Sequence, residues 1–264
     1  NAAGPGIRTV HHIEHFTTRE LAACHERAIT VPHTHVCVSA AVAAELWRGW
    51  GRTATVIPNG VDSARFAVAA GTDPVAVRAR EGWRTALGRY VLTVGGIEPR
   101  KGSLDLLEAY ALLPVPRPGL VVAGGETLFD YRDYRVRWEA RAAELGVTPT
   151  VLGPVAHEEL PALVAAAAVF AFPSTVEGFG LAAMEALAAG VPLVTRDLPV
   201  LREVFGTAAL FGTDPPTLAA QLDDALQRPD PVRRAAGRAL AARHTWHRAA
   251  EEHLRLYRSV QAGE

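Results

Sequence analysis

Two cysteines, Cys24 and Cys37, are all that a chain of 264 residues contains. That is too few for a disulfide framework and fits a reducing compartment. An excess of charge of one sign is also missing. A formal net charge of −1 supplies no global field to hold a nucleic-acid backbone, so nucleic acid is excluded as a partner and any anion site must be local. Long apolar runs are absent as well. The most apolar stretch, Leu160 to Phe172, stops at Pro173, short of the roughly 20 residues that a membrane-spanning helix needs, and reads as a buried helix and strand. The chain opens on Asn1 without a charged leader and apolar core, so no secretory signal is read and the start reads as truncated or processed. An Asp-x-Asp pair is lacking too. Cys24, His25, His33, His35 and Cys37 match no common zinc spacing, so no metal is expected. Alternation in HVCVS puts His35, Cys37 and Ser39 on one strand face, where they are expected to serve local packing.

What is there, 49% hydrophobic and 21% charged residues, is globular composition. From Arg89 onward, short apolar runs alternate with helical patterns. The runs are YVLTVGG (90–96), GLVVAGG (119–125), TVLGPV (150–155), VFAFPS (169–174), PLVTRD (192–197) and AALFG (208–212). Between them lie SLDLLEAYALL (103–113), YRVRWEARAAELG (134–146) and LAAMEALAAG (181–190). This order predicts a doubly wound parallel α/β domain whose ligands sit beyond the carboxyl ends of the strands. Residues 1–57 read differently, with strands at 8–11 and 35–39 and a helix over 18–29, as the tail of a preceding lobe. IPNGVD (57–62) carries a turn signal that suits a hinge. Residues 58–243 form the main domain, and 244–264 a last helical segment expected to pack across the lobes, with Trp246 and Tyr257 as anchors against the sheet or the missing lobe.

Two constellations carry chemistry. In VGGIEPRKGS (94–103) a strand ends in Gly95 and Gly96, and Arg100 and Lys101 precede a helix. Glycines admit close backbone approach, and paired cations beside a helix N-terminus suit a diphosphate; the alternative is a solvated basic turn. In TVEGFGLAAMEALAAGVP (175–192), Gly178 and Gly180 allow a tight turn into a helix whose first N–H groups face outward. Glu177 precedes the turn. Glu185 lies within the helix, leaning back toward its N-terminus, where its carboxylate suits a vicinal diol such as that of a ribose. Solvated glutamates or a glycosidase carboxylate pair are the alternatives. The latter needs neither the glycine-lined helix start nor the basic loop. A nicotinamide site is disfavoured, because GGIEPRKG is not G-x-G-x-x-G.

IPNGVD, VGGIEPRKG, GPV and PSTVEGFGLAAMEALAAGVP closely resemble, in order and spacing over roughly residues 35–215, the motifs of the group 1 glycosyltransferases, family 4. The GGIEPRKG form departs from the commoner G-R-L-x-x-x-K-G and looks like a bacterial subfamily. The resemblance implies the two-lobed GT-B fold, with a Rossmann-like donor-binding domain at 58–243 and an incomplete Rossmann-like acceptor-side lobe at 1–57. It implies a retaining, cytoplasmic transferase without cofactor or bound metal, using a nucleoside diphosphate sugar and an unidentified glycan, lipid or small-molecule acceptor. Contact with the inner face of a membrane stays open.

By position, the resemblance implies that Arg100 and Lys101 neutralise the leaving diphosphate beside Gly95 and Gly96, and that Glu177 holds sugar hydroxyls. Phe179, Gly180 and Leu181 would contact sugar and phosphate, Glu185 the ribose, and Gly153 to Val155 the base. His11, following a short strand with His12, aligns with the family's cleft histidine; a surface or capping role is the alternative. An epimerase or hydrolase of the same fold and a non-catalytic nucleotide-binding module remain the competing functions.

Overall fold

The computed structural model describes residues 6–14, 16, 18–124 and 131–262. Gly125, the last residue of the GLVVAGG run, lies outside them. The chain begins with β1 (Ile7–Val10), α1 (Arg19–Thr30), β2 (Thr34–Cys37), α2 (Ala40–Trp50) and β3 (Thr55–Val56). The strands form a three-stranded parallel sheet in the order β1-β2-β3. Thr18 and Ser39 cap the starts of α1 and α2 with their side chains, and Gly51 ends α2 in the left-handed conformation, which glycine adopts without strain. Val10, Ile29, Cys37, Val42 and Leu46 make a small core. Buried His35 donates from Nε2 to the Ile29 carbonyl at 2.8 Å, and Cys37 sits in that core, so both serve packing.

The larger part follows. After α3 (Ser63–Ala69) and α4 (Pro74–Leu87), the chain lays down β4 (Tyr90–Val94), α5 (Ser103–Ala111), β5 (Gly119–Ala123), α6 (Arg132–Glu144), β6 (Thr150–Gly153) and α7 (Leu160–Ala166). It continues with β7 (Val169–Phe172), α8 (Leu181–Ala188), β8 (Leu193–Arg196), α9 (Pro199–Phe205), β9 (Ala209–Gly212), α10 (Pro215–Gln227), α11 (Pro231–Arg243) and α12 (Trp246–Ala262). The strands form a six-stranded parallel sheet ordered β6-β5-β4-β7-β8-β9. Strand residues alternate between two cores, as period-two geometry dictates. Tyr90, Leu92, Phe170, Phe172 and Leu193 join the core shared with α7 and α8, while Val91, Val169, Ala171 and Val194 join the one shared with α5, α6 and α10. Both faces are therefore covered, which is why the strands read as continuous apolar runs.

The chain crosses between the sheets at 57–62 and returns at 244–246. The two crossings are bound together, Val61 N–H donating to the His244 carbonyl at 2.8 Å. They lie so close that a β-carbon on Gly60 would overlap the Trp246 backbone. Helix α12 then packs on the three-stranded sheet through Ala249 and Leu256, against Val36, Ile57 and Ile7. Trp246 and Tyr257 do not anchor α12 to the sheet, the first of the two partners expected for them; they are 54% and 43% exposed, because Ala249 and Leu256, seven apart, define the face toward the sheet.

A carboxylate also joins the lobes. Glu203 of α9 accepts from Ala40 N–H at 2.7 Å and Ala41 N–H at 2.8 Å, the first-turn amides of α2 that the chain's own backbone leaves open. Glu203→Ala is expected to lower the Tm by a few degrees, while Glu203→Asp, too short to span both amides, recovers little of it. An unchanged Tm would show that water serves those amides as well.

Candidate functional site

Strand β4 has β5 and β6 on one side and β7, β8 and β9 on the other. The chain reverses its direction of travel between β4 and β7, and the loops leaving their carboxyl ends border the crevice of such a switch point, the usual ligand position in these sheets. Both loops are those singled out by their motifs. The first passes through Gly95 and Gly96 into a short 3-10 turn at Pro99–Lys101. The second runs from Pro173 to Gly180, whose φ of 91° opens α8. No side chain caps α8, so its first-turn amides face the crevice with their partial positive charge available to an anion.

The loops are fixed to each other. Thr175 N–H donates to the Arg100 carbonyl at 2.8 Å, and Gly102 lies so near the Pro173 carbonyl that a β-carbon would overlap it. Beneath them the largely buried Arg196 of β8 donates to the Pro173 carbonyl at 3.1 Å and the Thr213 carbonyl at 2.8 Å, and pairs with Asp105.

The cations converge on Glu177. Lys101 Nζ lies 2.6 Å and Arg100 3.4 Å from Glu177 Oε1, and Arg100 also reaches Glu98 Oε1 at 2.9 Å. Lys101 Nζ stands 5.2 Å from the centroid of the Phe172 ring, a cation–π contact that further fixes it. Glu177 is thus the counter-ion of the basic pair. Glu98, 6% exposed, and Arg196 were not singled out from sequence; nothing in the spacing of a lone Glu or Arg signals burial, although Glu98 lies inside the GGIEPRKG loop. Ser174 Oγ, fully buried just after β7, has no hydrogen-bond partner among the described residues.

Glu185, in the second turn of α8, is half-buried. Burial pushes its carboxyl up to about 7, Arg65 of α3 drawing it down and Asp62 pushing it further up. Arg65 in turn is bound to the His157 ring and carbonyl, so the loop after β6, with Val155 partly buried in it, borders the same end of the crevice. Because the folded carboxyl binds its proton more tightly than the unfolded one, its contribution to stability falls as pH rises from about 4.5 to about 7 and is level above. A diol donates best to the ionised form. Affinity for an uncharged nucleoside is therefore expected to rise about 10-fold from about pH 6 to about pH 8, and to be level in Glu185→Gln. Calorimetry at the two pH values checks this; a parallel rise in both proteins would place the titrating group elsewhere.

From the other sheet, His11 follows β1 at the mouth of the crevice. Partial burial, His12 and Arg8 hold its imidazole below the ordinary value, so it is neutral at pH 7 and free to accept a hydrogen bond. A β-carbon on Gly178 would overlap the His11 carbonyl oxygen; the glycine turn before α8 is one of the places where the two lobes touch. Phe179 is buried and its ring lies 5.5 Å from that of His244, so its side chain faces the return crossing and only its backbone borders the crevice. Leu181, 39% exposed, stands at the open start of α8. A cleft of about 510 Å³ adjoins Glu177, lined also by Ile13, Glu45, Trp50, Thr175 and Leu198.

The model of the glycosyl transferases group 1 family matches residues 83–242, spanning both loops. The chain belongs to that family. It is 35% identical over 181 residues to the Escherichia coli O-antigen chain mannosyltransferase B, an alignment covering 64% of this chain and 45% of the relative. It is 32% identical to the Mycobacterium tuberculosis phosphatidyl-myo-inositol mannosyltransferase, covering 98% of this chain and 68% of the relative. The chain thus spans under half of one relative and about two thirds of the other. Among solved structures, Anabaena HepE in complex with UDP and glucose superposes with a TM-score of 0.82 at 23% identity, covering 97% of this chain and 72% of that one. The Thermosynechococcus elongatus sucrose-phosphate synthase gives 0.80 at 23%, covering 98% and 68%. The fold is that of the two-lobed GT-B glycosyltransferases.

Proposed function

We propose that the crevice binds a nucleoside diphosphate sugar and that the protein moves the sugar to an acceptor with retention of configuration, without a bound metal. The observation that carries this is the convergence of Lys101 and Arg100 on the mouth of an uncapped helix at the switch point, with Glu177 between them. A diphosphate entering there exchanges one carboxylate for its own oxygens and gains the α8 amides. Glu177 is then released toward the sugar hydroxyls, while Glu185 meets the ribose. As the bond from C1 to the diphosphate oxygen breaks, the charge growing on that oxygen is neutralised by the two cations. The acceptor oxygen attacks C1 from the same face and gives its proton to a leaving phosphate oxygen. No side chain acts as nucleophile, and neutral His11 stands across the gap to orient the acceptor side. The cation pair occupies the electrostatic role of a divalent ion, and the sequence carries no Asp-x-Asp pair to hold one. The low cysteine count supports a cytoplasmic setting, and no helix among the described residues is long and apolar enough to cross a membrane.

The test is a thermal-shift panel of UDP, GDP, ADP and their sugars with EDTA present. One nucleotide at about 100 times its dissociation constant is expected to add about 2.7 kcal/mol, with transfer to an added acceptor unchanged by EDTA. Binding that needs manganese or magnesium would overturn the metal-free reading. Product formed equally without acceptor would make this a hydrolase or epimerase.

A further inference from the structure

The opposite end of the six-stranded sheet holds a second cavity, of about 540 Å³, that the proposed reaction does not use. Its floor is apolar, formed by Ala166, Ala167 and Ala168 before β7, Pro192 before β8, and Leu226 of α10. Its charged lining consists of Arg84 of α4, Arg89 before β4 and Arg234 of α11, and no carboxylate lines it.

These arginines are not the far halves of ion pairs. Arg89 donates to the Leu226 carbonyl at 2.6 Å and Arg234 donates from Nε to the Gly190 carbonyl at 2.9 Å. One edge of each guanidinium is thereby anchored to backbone and its remaining N–H groups are left over. Arg84 has neither a hydrogen bond nor an ion pair from its side chain among the described residues. Three guanidinium groups around one hollow repel one another unless an anion joins them. Two of them are held in place by carbonyls, so their positions persist without it. Preplaced planar donors over an apolar floor fit a phosphoryl group with a compact carbon skeleton attached, and the volume falls within the range of small-molecule sites.

We propose that this cavity binds a phosphate monoester, at the ends of β4, β7 and β8 remote from the donor crevice. It is independent of the reading of that crevice. The experiment is calorimetry of the protein, with the nucleoside diphosphate from the panel present in excess to fill the crevice, titrated with glucose 6-phosphate, inorganic phosphate and uncharged glucose. Both phosphates are expected to bind, the sugar phosphate more tightly, and glucose not at all. Arg84→Ala, an exposed change that removes no anchor, is expected to weaken the sugar phosphate about 10-fold or more while nucleoside diphosphate affinity stays within about twofold. Arg84→Lys should recover part of the loss. The proposal is overturned if neither phosphate binds with the crevice filled, or if Arg84→Ala leaves sugar phosphate affinity unchanged. It is equally overturned if Arg84-dependent binding appears only to vesicles of anionic phospholipid, which would make the arginines a membrane-contact surface.

Discussion

Lys101→Ala is expected to weaken nucleoside diphosphate binding by about 100-fold or more, at the upper end of what one charged hydrogen bond supplies. Loss of such a bond costs roughly 1.5–3 kcal/mol, or about 10-fold to 150-fold. Here the removal does a second thing. Among the described residues Glu177 Oε1, 2.6 Å from Lys101 Nζ, then keeps only Arg100 at 3.4 Å, so an under-neutralised carboxylate stands where the proposed diphosphate would enter. The double variant Lys101→Ala/Glu177→Gln should therefore bind more tightly than Lys101→Ala alone. Glu177→Gln by itself should hold the bare diphosphate as well as the parent protein or better, while losing affinity for the intact donor. Calorimetry on the three variants forms the cycle. Additive losses would mean that Glu177 and Lys101 do not share the ligand's charge, and the exchange proposed for the crevice would fall with that result.

Gly178→Ala is expected to abolish sugar transfer, by about 100-fold or more, while bare diphosphate binding changes only several-fold. The added carbon has nowhere to go. The atom it meets is the His11 carbonyl at the end of a strand, with Val38 Cγ2 at 3.2 Å on the other side, and neither is the far end of a flexible chain. The lobes must part where the glycine turn meets His11 just after β1, and a shift of about 1 Å between reacting groups is enough for such a loss. The cations, α8 and Glu185 all belong to the six-stranded part and stay where they are. Transfer at the parent rate in Gly178→Ala would show that this contact does not set the closed geometry.

The sequence made the six-stranded part legible because its strands are short apolar runs ended by glycine or proline. β4 to β9 all fall within the runs read from pattern, and α5 and α8 within the helical stretches, while α6 starts two residues ahead of its stretch. That Arg100, Lys101 and Glu177 lie on loops at the carboxyl ends of strands was legible, but not that β4 and β7 are neighbours or that the cations pair with Glu177. What escaped were pairings across long stretches of chain. Glu203 meets α2 from 163 residues away, Arg65 meets the loop after β6, and Arg196 props the loop after β7; a single charged residue carries no periodicity that betrays its partner. That Trp246 and Tyr257 do not meet the sheet has the opposite reason. Large aromatics on an amphipathic helix suggest a buried stripe, but the face toward the sheet takes small Ala249 where the helix lies close.

The paired crossings, Gly60 and Val61 laid against His244 to Trp246, make the joint between the lobes a seam of two threads stitched side by side. A single thread lets one body swing, slide and spin about the other. Two threads sewn together leave the swing, which bends both alike, and resist the slide and the spin, which would have to shear one past the other. Any opening of the mouth between His11 and Gly178 is thereby expected to follow that swing, like a book along its spine, and to bring the same faces together again on closing.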